Sequence, residues 1–138
     1  SGLYRDLTVL ENITFWTQIA GVEKSEIDSR VVWALERMEL GNKLQNQKVR
    51  SLSVGQKRRT SLAAFIVRRP DLWLMDEPHA GLDQDGRQIV DDLIEESVGA
   101  GATAIVASHD FERVANLSTR IVTLSGGAVV DAGREGNR

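Results

Sequence analysis

The 138-residue chain contains no cysteine. That excludes disulfides, thiolate-held metals and thiol nucleophiles, and it is compatible with a reducing compartment. Long apolar runs are missing too. The stretch Leu62-Ala63-Ala64-Phe65-Ile66-Val67 is among the longest and falls far short of the roughly 20 residues needed to cross a bilayer, so any membrane association is expected to run through a partner. No cationic stretch followed by an apolar one opens the sequence. Neither sign of charge dominates: 17 Lys and Arg against 20 Asp and Glu give a formal charge of −3. Such a balance offers no general attraction for nucleic acid, and Lys57-Arg58-Arg59 is too short a basic cluster to change that. Low-complexity tracts and internal repeats are also lacking.

With 41% hydrophobic and 27% charged residues, the composition is that of a soluble globular chain. One domain of this size buries about two thirds of its unfolded surface. The opening Ser1-Gly2-Leu3-Tyr4 has no initiator Met and enters a structured pattern almost at once, as expected of a segment of a longer polypeptide.

Thr8-Val9-Leu10-Glu11 fits a helix capping box, and Val9, Ile13, Trp16 and Ala20 keep helical spacing after it, with Gly21 as a natural stop. A second helix is expected from about Ser25, with Ile27, Val31, Leu35 and Met38 on one face and Gly41 ending it. Residues 42–47 are polar and aperiodic, hence a loop. Residues 7–50 therefore read as a small helical unit. At Ser53 a second capping box, closed by Gln56, opens a helix that runs to Arg68-Arg69 and halts before Pro70. A strand at 72–75, a helix at 84–98, a strand at 103–107, a helix at 111–117 and a strand at 120–124 follow. Strands alternating with helices imply parallel pairing, and Ser125-Gly126-Gly127 is expected to turn the chain into a last antiparallel strand around 128–130.

Four polar sites lie on this framework in a fixed order. Asp76-Glu77 ends an apolar strand, and ligands collect at the carboxyl ends of parallel strands. A first acid there suits Mg²⁺, which takes a few carboxylates plus phosphate oxygens and water. A second, adjacent acid can orient or deprotonate a water that attacks a γ-phosphate. Taken alone, Asp76-Glu77-Pro78 is equally a polar strand end and a turn. His109 follows the 103–107 strand and is expected along the same edge, where it could bond a phosphate oxygen; the plainer alternative is a helix-capping stretch, Ser108-His109-Asp110. Ser53, Val54, Gly55 and Gln56 form a helix start suited to an anion, with Gly55 allowing close approach to the backbone. They would equally serve an ordinary capped helix. Asp83 precedes the 84–98 helix and fits its N-cap. Gly99-Ala100-Gly101 follows a helix and reads as a turn rather than a dinucleotide fingerprint, while Trp16, Trp33 and Trp73 read as packing residues. No Gly-x-x-x-x-Gly-Lys-[Ser/Thr] phosphate loop occurs in the 138 residues.

As an ordered set these residues resemble the ATP-binding cassette (ABC) ATPases, especially the nucleotide-binding subunits of ABC transporters. Leu52-Ser53-Val54-Gly55-Gln56 resembles the signature motif, with Val54 where the commonest form has Gly. Residues 72–77 resemble the Walker B strand with its Glu, Gly81-Leu82-Asp83 the D-loop, and His109 the switch histidine. Tyr4-Arg5-Asp6-Leu7-Thr8 resembles the segment just after the Q-loop. The resemblance implies an α/β fold of the P-loop NTPase (ABC) type: a partial parallel sheet with an inserted helical subdomain, divided into residues 1–50 and a core part at 51–138.

It further implies ATP and Mg²⁺ as cofactors, with Asp76 serving the metal, Glu77 polarising the hydrolytic water and His109 contacting the γ-phosphate. Ser53, Val54, Gly55 and Gln56 would close over nucleotide held by a second cassette, and Asp83 would report across that interface. The parent would then be a transporter ATPase, cytoplasmic and peripheral on the inner face of the membrane, with a transmembrane subunit as partner and Tyr4 and residues 7–16 as candidate contacts. The flavour is similar to heme-exporter and drug-exporter cassettes. Without a phosphate loop the 138 residues alone are expected to be inactive, and unpaired strand edges between the strands ending near His109 and Leu124 are expected to make them marginally stable or associating. The competing expectations are a soluble ABC factor acting on ribosomes or nucleic acid, and a non-catalytic module that supplies only helical contacts.

Overall fold

The computed structural model describes residues 2–135. By contacts the chain divides into two compact units, one of Ser1–Asp71 with His79–Val90 and one of Leu72–Pro78 with Asp91–Arg138. The helix Gln84–Gly99 begins in the first and ends in the second. No helix of the described residues is long and apolar enough to cross a membrane.

The first unit is helical. Helix α1 (Val9–Ile19) starts at the expected capping box: the Glu11 amide donates to the Thr8 hydroxyl at 3.1 Å and the Thr8 amide to the Glu11 carboxylate at 2.7 Å. Its buried residues are Val9, Asn12, Ile13 and Thr17, not the expected stripe through Trp16 and Ala20. Polar side chains take these inward places because each is bonded. Asn12 is fully buried; it accepts from the Tyr4 amide at 2.8 Å and donates to the carbonyls of Tyr4 and Thr8 at 3.0 and 2.8 Å. Thr17 donates to the Ile13 carbonyl. Trp16 lies to the side with the Arg68 guanidinium 4.2 Å over its ring, and Ala20 is exposed.

Helix α2 (Ile27–Arg37) follows a single 3₁₀ turn at Lys24–Glu26 and buries Val31, Ala34 and Leu35. The expected stop at Gly41 comes earlier. Glu39, two residues before, takes a left-handed φ of 55°, and the Leu40 amide reaches back to the Leu35 carbonyl. Met38 and Leu40 are buried on either side of it, so core packing sets the turn where glycine would have set it more cheaply. Within the polar stretch after it lies a 3₁₀ turn, Leu44–Asn46. Residues 47–50 then run antiparallel to 5–9 through the bonds Val9 N to Gln47 O, Val49 N to Leu7 O and Arg50 N to Arg5 O. Helix α3 (Val54–Ile66) opens with the second capping box, both bonds formed between Ser53 and Gln56. Helix α1 packs against α2 and α3.

In the second unit, β1 (Leu72–Asp76) and β2 (Thr103–Ala107) pair in parallel, from Leu72 opposite Thr103 to Asp76 opposite Ala107. One face of the pair is covered, with Trp73 buried; on the other, Leu72, Leu74 and Ile105 are exposed. Helix α4 (Gln84–Gly99) precedes β2 and α5 (Phe111–Leu117) follows it. Strands β3 (Arg120–Ser125) and β4 (Ala128–Glu135) form a separate antiparallel hairpin, turned at Gly126 and Gly127 with φ of 57° and 78°, the positive values a two-residue hairpin turn requires. β4 runs past the expected end at Val130. Two register shifts, between Ile121 and Val122 and between Thr123 and Leu124, absorb extra residues and carry the pairing through the weak strand formers Asp131, Ala132 and Gly133. Among the described residues β2 and β3 are not neighbours in one sheet, as expected of the two edges.

Replacing Asn12 by Ala removes three part-buried hydrogen bonds at once, from the Tyr4 amide and to the Tyr4 and Thr8 carbonyls. It is expected to lower stability by about 2 kcal/mol or more, whereas Thr8→Ala, which removes one exposed cap, costs about 1 kcal/mol. Urea unfolding midpoints measure both. An Asn12→Ala shift no larger than that of Thr8→Ala contradicts the role given to the buried amide.

Candidate functional site

The parallel register fixes what meets at the end of β1 and β2. Asp76 is level with Ala107, and the ladder continues one bond further, the Glu77 amide donating to the Ala107 carbonyl at 2.9 Å. At that residue the backbone turns left-handed, with φ of 45°. A non-glycine residue in this region stores about 1–3 kcal/mol and persists only where its surroundings hold it. Glu77 is held by three donors from the loop after β2. Its Oε1 accepts from the His109 amide at 2.9 Å and from His109 Nδ1 at 2.6 Å, and its Oε2 accepts from the Ser108 hydroxyl at 3.3 Å.

That loop is itself pinned. The Asp110 amide donates to the Ser108 hydroxyl, and the Asp110 carboxylate caps α5 by accepting from the Arg113 amide. Arg113 also pairs with Asp91, which is buried. The capping reading of Ser108-His109-Asp110 is therefore true, and the pairing of Glu77 with His109 is present beside it. An ionised carboxylate only accepts, so His109 donates through Nδ1. This leaves Nε2 as the remaining polar atom of a ring that is 88% exposed.

Asp76, Glu77 and His109 thus share one end of the β1–β2 pair. Among the described residues no group of three or more His, Asp or Glu side chains is arranged to hold a metal ion. Asp76 offers one carboxylate at an open strand end, which fits Mg²⁺ only with phosphate and water oxygens completing its shell.

The first unit holds the other sequence-selected residues. The Ser53 turn lies against the 79–83 loop: a Cβ added to Gly55 would come 3.5 Å from the Gly81 carbonyl, and one added to Gly81 would come 3.5 Å from a Val54 methyl. Val54 is exposed. Asp83 caps α4, its Oδ1 accepting from the Gly86 amide at 2.9 Å, and it also accepts from Arg59 at 3.1 Å. These two bonds, the amide first, lower the Asp83 pKa. Arg59, Glu39 and Gly86 belong to this arrangement and were not selected from the sequence; the one signal was a glycine inside the first turn of a helix, where glycine is a poor choice. Trp73 is buried, as a packing residue should be, while Trp16 and Trp33 are partly open beneath Arg68 and Arg69.

The hydrogen bond from the His109 ring, then its amide, lowers the Glu77 pKa. A carboxyl whose folded pKa lies below its unfolded value stabilises the structure above the ordinary carboxylate range. The contribution is lost as pH falls through the lowered value. Carboxyl NMR of Glu77 in nucleotide-free protein is expected to titrate below the reference of about 4.3 and to move back towards it in His109→Ala. A wild-type midpoint at or above the reference contradicts the contact.

Residues 1–80 match the family described as ABC transporter. An ABC transporter ATP-binding protein of Methanocaldococcus jannaschii is 30% identical over 133 residues, 96% of this chain and 50% of the relative. A putative ABC transporter ATP-binding protein of Halobacterium salinarum is 37% identical over 122 residues, 88% of this chain and 52% of the relative. The energy-coupling factor transporter ATP-binding protein EcfA2 of Streptococcus thermophilus is 35% identical over 126 residues, 91% of this chain and 45% of the relative. The chain spans about half the length of these curated relatives. Among solved structures, a dimeric post-hydrolysis state of the ATP-binding cassette MJ0796 bound to ADP and Pi superposes with a TM-score of 0.84 at 27% identity, covering 99% of this chain and 60% of that one. The match over most of the chain, together with an ABC-type α/β fold, makes this chain a member of the ABC transporter ATP-binding protein family.

Proposed function

We propose that the protein containing this chain hydrolyses ATP with Mg²⁺ in a dimer of cassettes and couples the reaction to transport across a membrane. The single observation that supports this most is the pairing of Glu77 with His109 beside Asp76 at the end of two parallel strands. When bound, ATP would supply the phosphoanhydride bond and Mg²⁺ would neutralise part of the phosphate charge. In this reading Asp76 serves the metal, Glu77 orients and deprotonates the attacking water, and His109 bonds the γ-phosphate through its second ring nitrogen.

Ser53, Val54, Gly55 and Gln56 meet nucleotide held by a partner cassette, where the free amides of the α3 start favour an anion, and Asp83 faces the same interface. Residues 1–50 form the helical subdomain and 51–138 part of the ATPase core, and the 138 residues alone, without a phosphate loop, do not turn over ATP. The aromatic group Tyr4, Phe15 and Trp16, with ring centroids 5.0 to 6.5 Å apart and Tyr4 half exposed, is a contact surface for a transmembrane subunit, placing the protein on the cytoplasmic face of the membrane. Heme or drug export is one form of such transport. The EcfA2 relatives, named for energy-coupling factor transporters, widen the choice of cargo, which the membrane subunit makes.

In the whole protein, Glu77→Gln is expected to retain Mg²⁺·ATP binding while hydrolysis falls by at least about 100-fold, the range of a lost general base. Equilibrium binding and phosphate release measure the two separately. Turnover close to wild type removes Glu77 from the reaction.

A further inference from the structure

The residues already assigned leave unexplained a mostly buried guanidinium and a glycine in the first turn of α4. Arg59 lies on α3 with only 14% of its side chain exposed. One arm, Nη1, donates to the Met38 carbonyl at 3.5 Å and to the Glu39 carboxylate; the other, Nη2, donates to Asp83 at 3.1 Å. We propose that Arg59 is a positioning residue that fastens the Asp83 loop to the turn at the end of α2.

Three observations carry the inference. First, the two acids are 60% and 71% exposed while the guanidinium between them is largely covered. Exposed pairs contribute little, but a covered charge depends on its partners, so the arginine rather than either acid is the fixed member. Burial opposes its charge, and the bonds to Glu39 and Asp83 outweigh that effect and raise its pKa. A planar fork can present its arms to two separate elements, whereas an ammonium offers a single point.

Second, the Glu39 end of the link does not drift. Its residue holds a left-handed backbone between buried Met38 and Leu40, so its place is set by the core of the helical unit. Third, Gly86 leaves the room that the Asp83 end needs. A Cβ there would lie 2.8 Å from Asp83 Oδ1, 3.2 Å from Leu82 Cβ and 3.4 Å from Arg59 Nη2. The backbone of Gly86 is not among those with positive φ, so space rather than conformation explains a buried glycine at a position where alanine favours the helix. Arg87 adds to the hold on the same loop, its Nε donating to the Leu82 carbonyl at 3.2 Å. The result is a chain of contacts, Glu39 to Arg59 to Asp83, through which a shift of α2 is felt at the acid assigned to the cassette interface.

The effect on turnover rests on the proposed function; the latch itself does not. The experiment therefore has two arms, both on the whole protein. In the first, hydrogen exchange compares wild type with Arg59→Gln, Arg59→Lys and Gly86→Ala. The amides of residues 81–86 are expected to exchange at least about tenfold faster in all three, with those of α1 unchanged, as for a local opening. In the second, steady-state kinetics is expected to give a kcat lowered about tenfold with KM for ATP within about threefold in Arg59→Gln, and a smaller fall in Arg59→Lys. In an Asp83→Asn background the Arg59→Gln change should then add less than about twofold, because the two act as one unit. Unchanged exchange in 81–86, or faster exchange spread over the whole protein, overturns the latch. Additive losses in kcat overturn its role through Asp83. If wild type hydrolyses no ATP, the proposed function fails and the exchange arm still decides the latch. Should Arg59→Gln not fold, Arg59→Lys and Gly86→Ala decide the exchange arm, and Arg59→Lys, alone and in the Asp83→Asn background, decides the kinetic arm.

Discussion

One backbone hydrogen bond, from the Glu77 amide to the Ala107 carbonyl, sets the geometry of the strand-end site. It extends the parallel β1–β2 ladder by one step past Asp76, so that the residue after the strand is tied before the chain can turn. A shift of register by one residue would send alternate side chains to the opposite face and separate Glu77 from the loop that follows β2. With the register fixed, the left-handed turn at Glu77 and the pinned Ser108-His109-Asp110 loop bring a carboxylate and an imidazole to 2.6 Å. Strain at Glu77 is tolerated because its amide donates to the Ala107 carbonyl and its carboxylate accepts from Ser108 and His109.

The helical unit shows the same logic with different chemistry. There the backbone is tied by side chains: Asn12 holds Tyr4, two capping boxes start α1 and α3, and Arg59 reaches both the end of α2 and Asp83. Asn12, Thr17 and Arg59 of this unit are covered with their polar atoms bonded, and unpartnered they would destabilise it. Asp83 illustrates how structural and functional readings coexist. It is a helix cap, and it is also the end of a link that starts in the core of the unit.

What the sequence made legible was what is local. Both capping boxes, the hairpin at Gly126-Gly127, the order of strands and helices after Ser53, and the shared strand end of Asp76 and His109 follow from spacing over a few residues and from parallel pairing. The departures all depend on distant partners. Asn12 is inward-facing because Tyr4 meets it, the α2 turn falls at Glu39 because Met38 and Leu40 are buried, and β4 continues past Val130 because bulges keep it paired with β3. Arg59 read as one member of a basic cluster, and only its partners 20 and 24 residues away give it a distinct role.

The central claim is that Glu77 and His109 meet where a metal-bound triphosphate would react. Replacing Mg²⁺ by paramagnetic Mn²⁺ in the whole Glu77→Gln protein and following the His109 ring by NMR tests it most directly. Broadening of the His109 ring signals on addition of Mn²⁺ with ATP, and not of Mn²⁺ alone, is the result expected. Sharp His109 signals while ATP and Mn²⁺ are bound would contradict it.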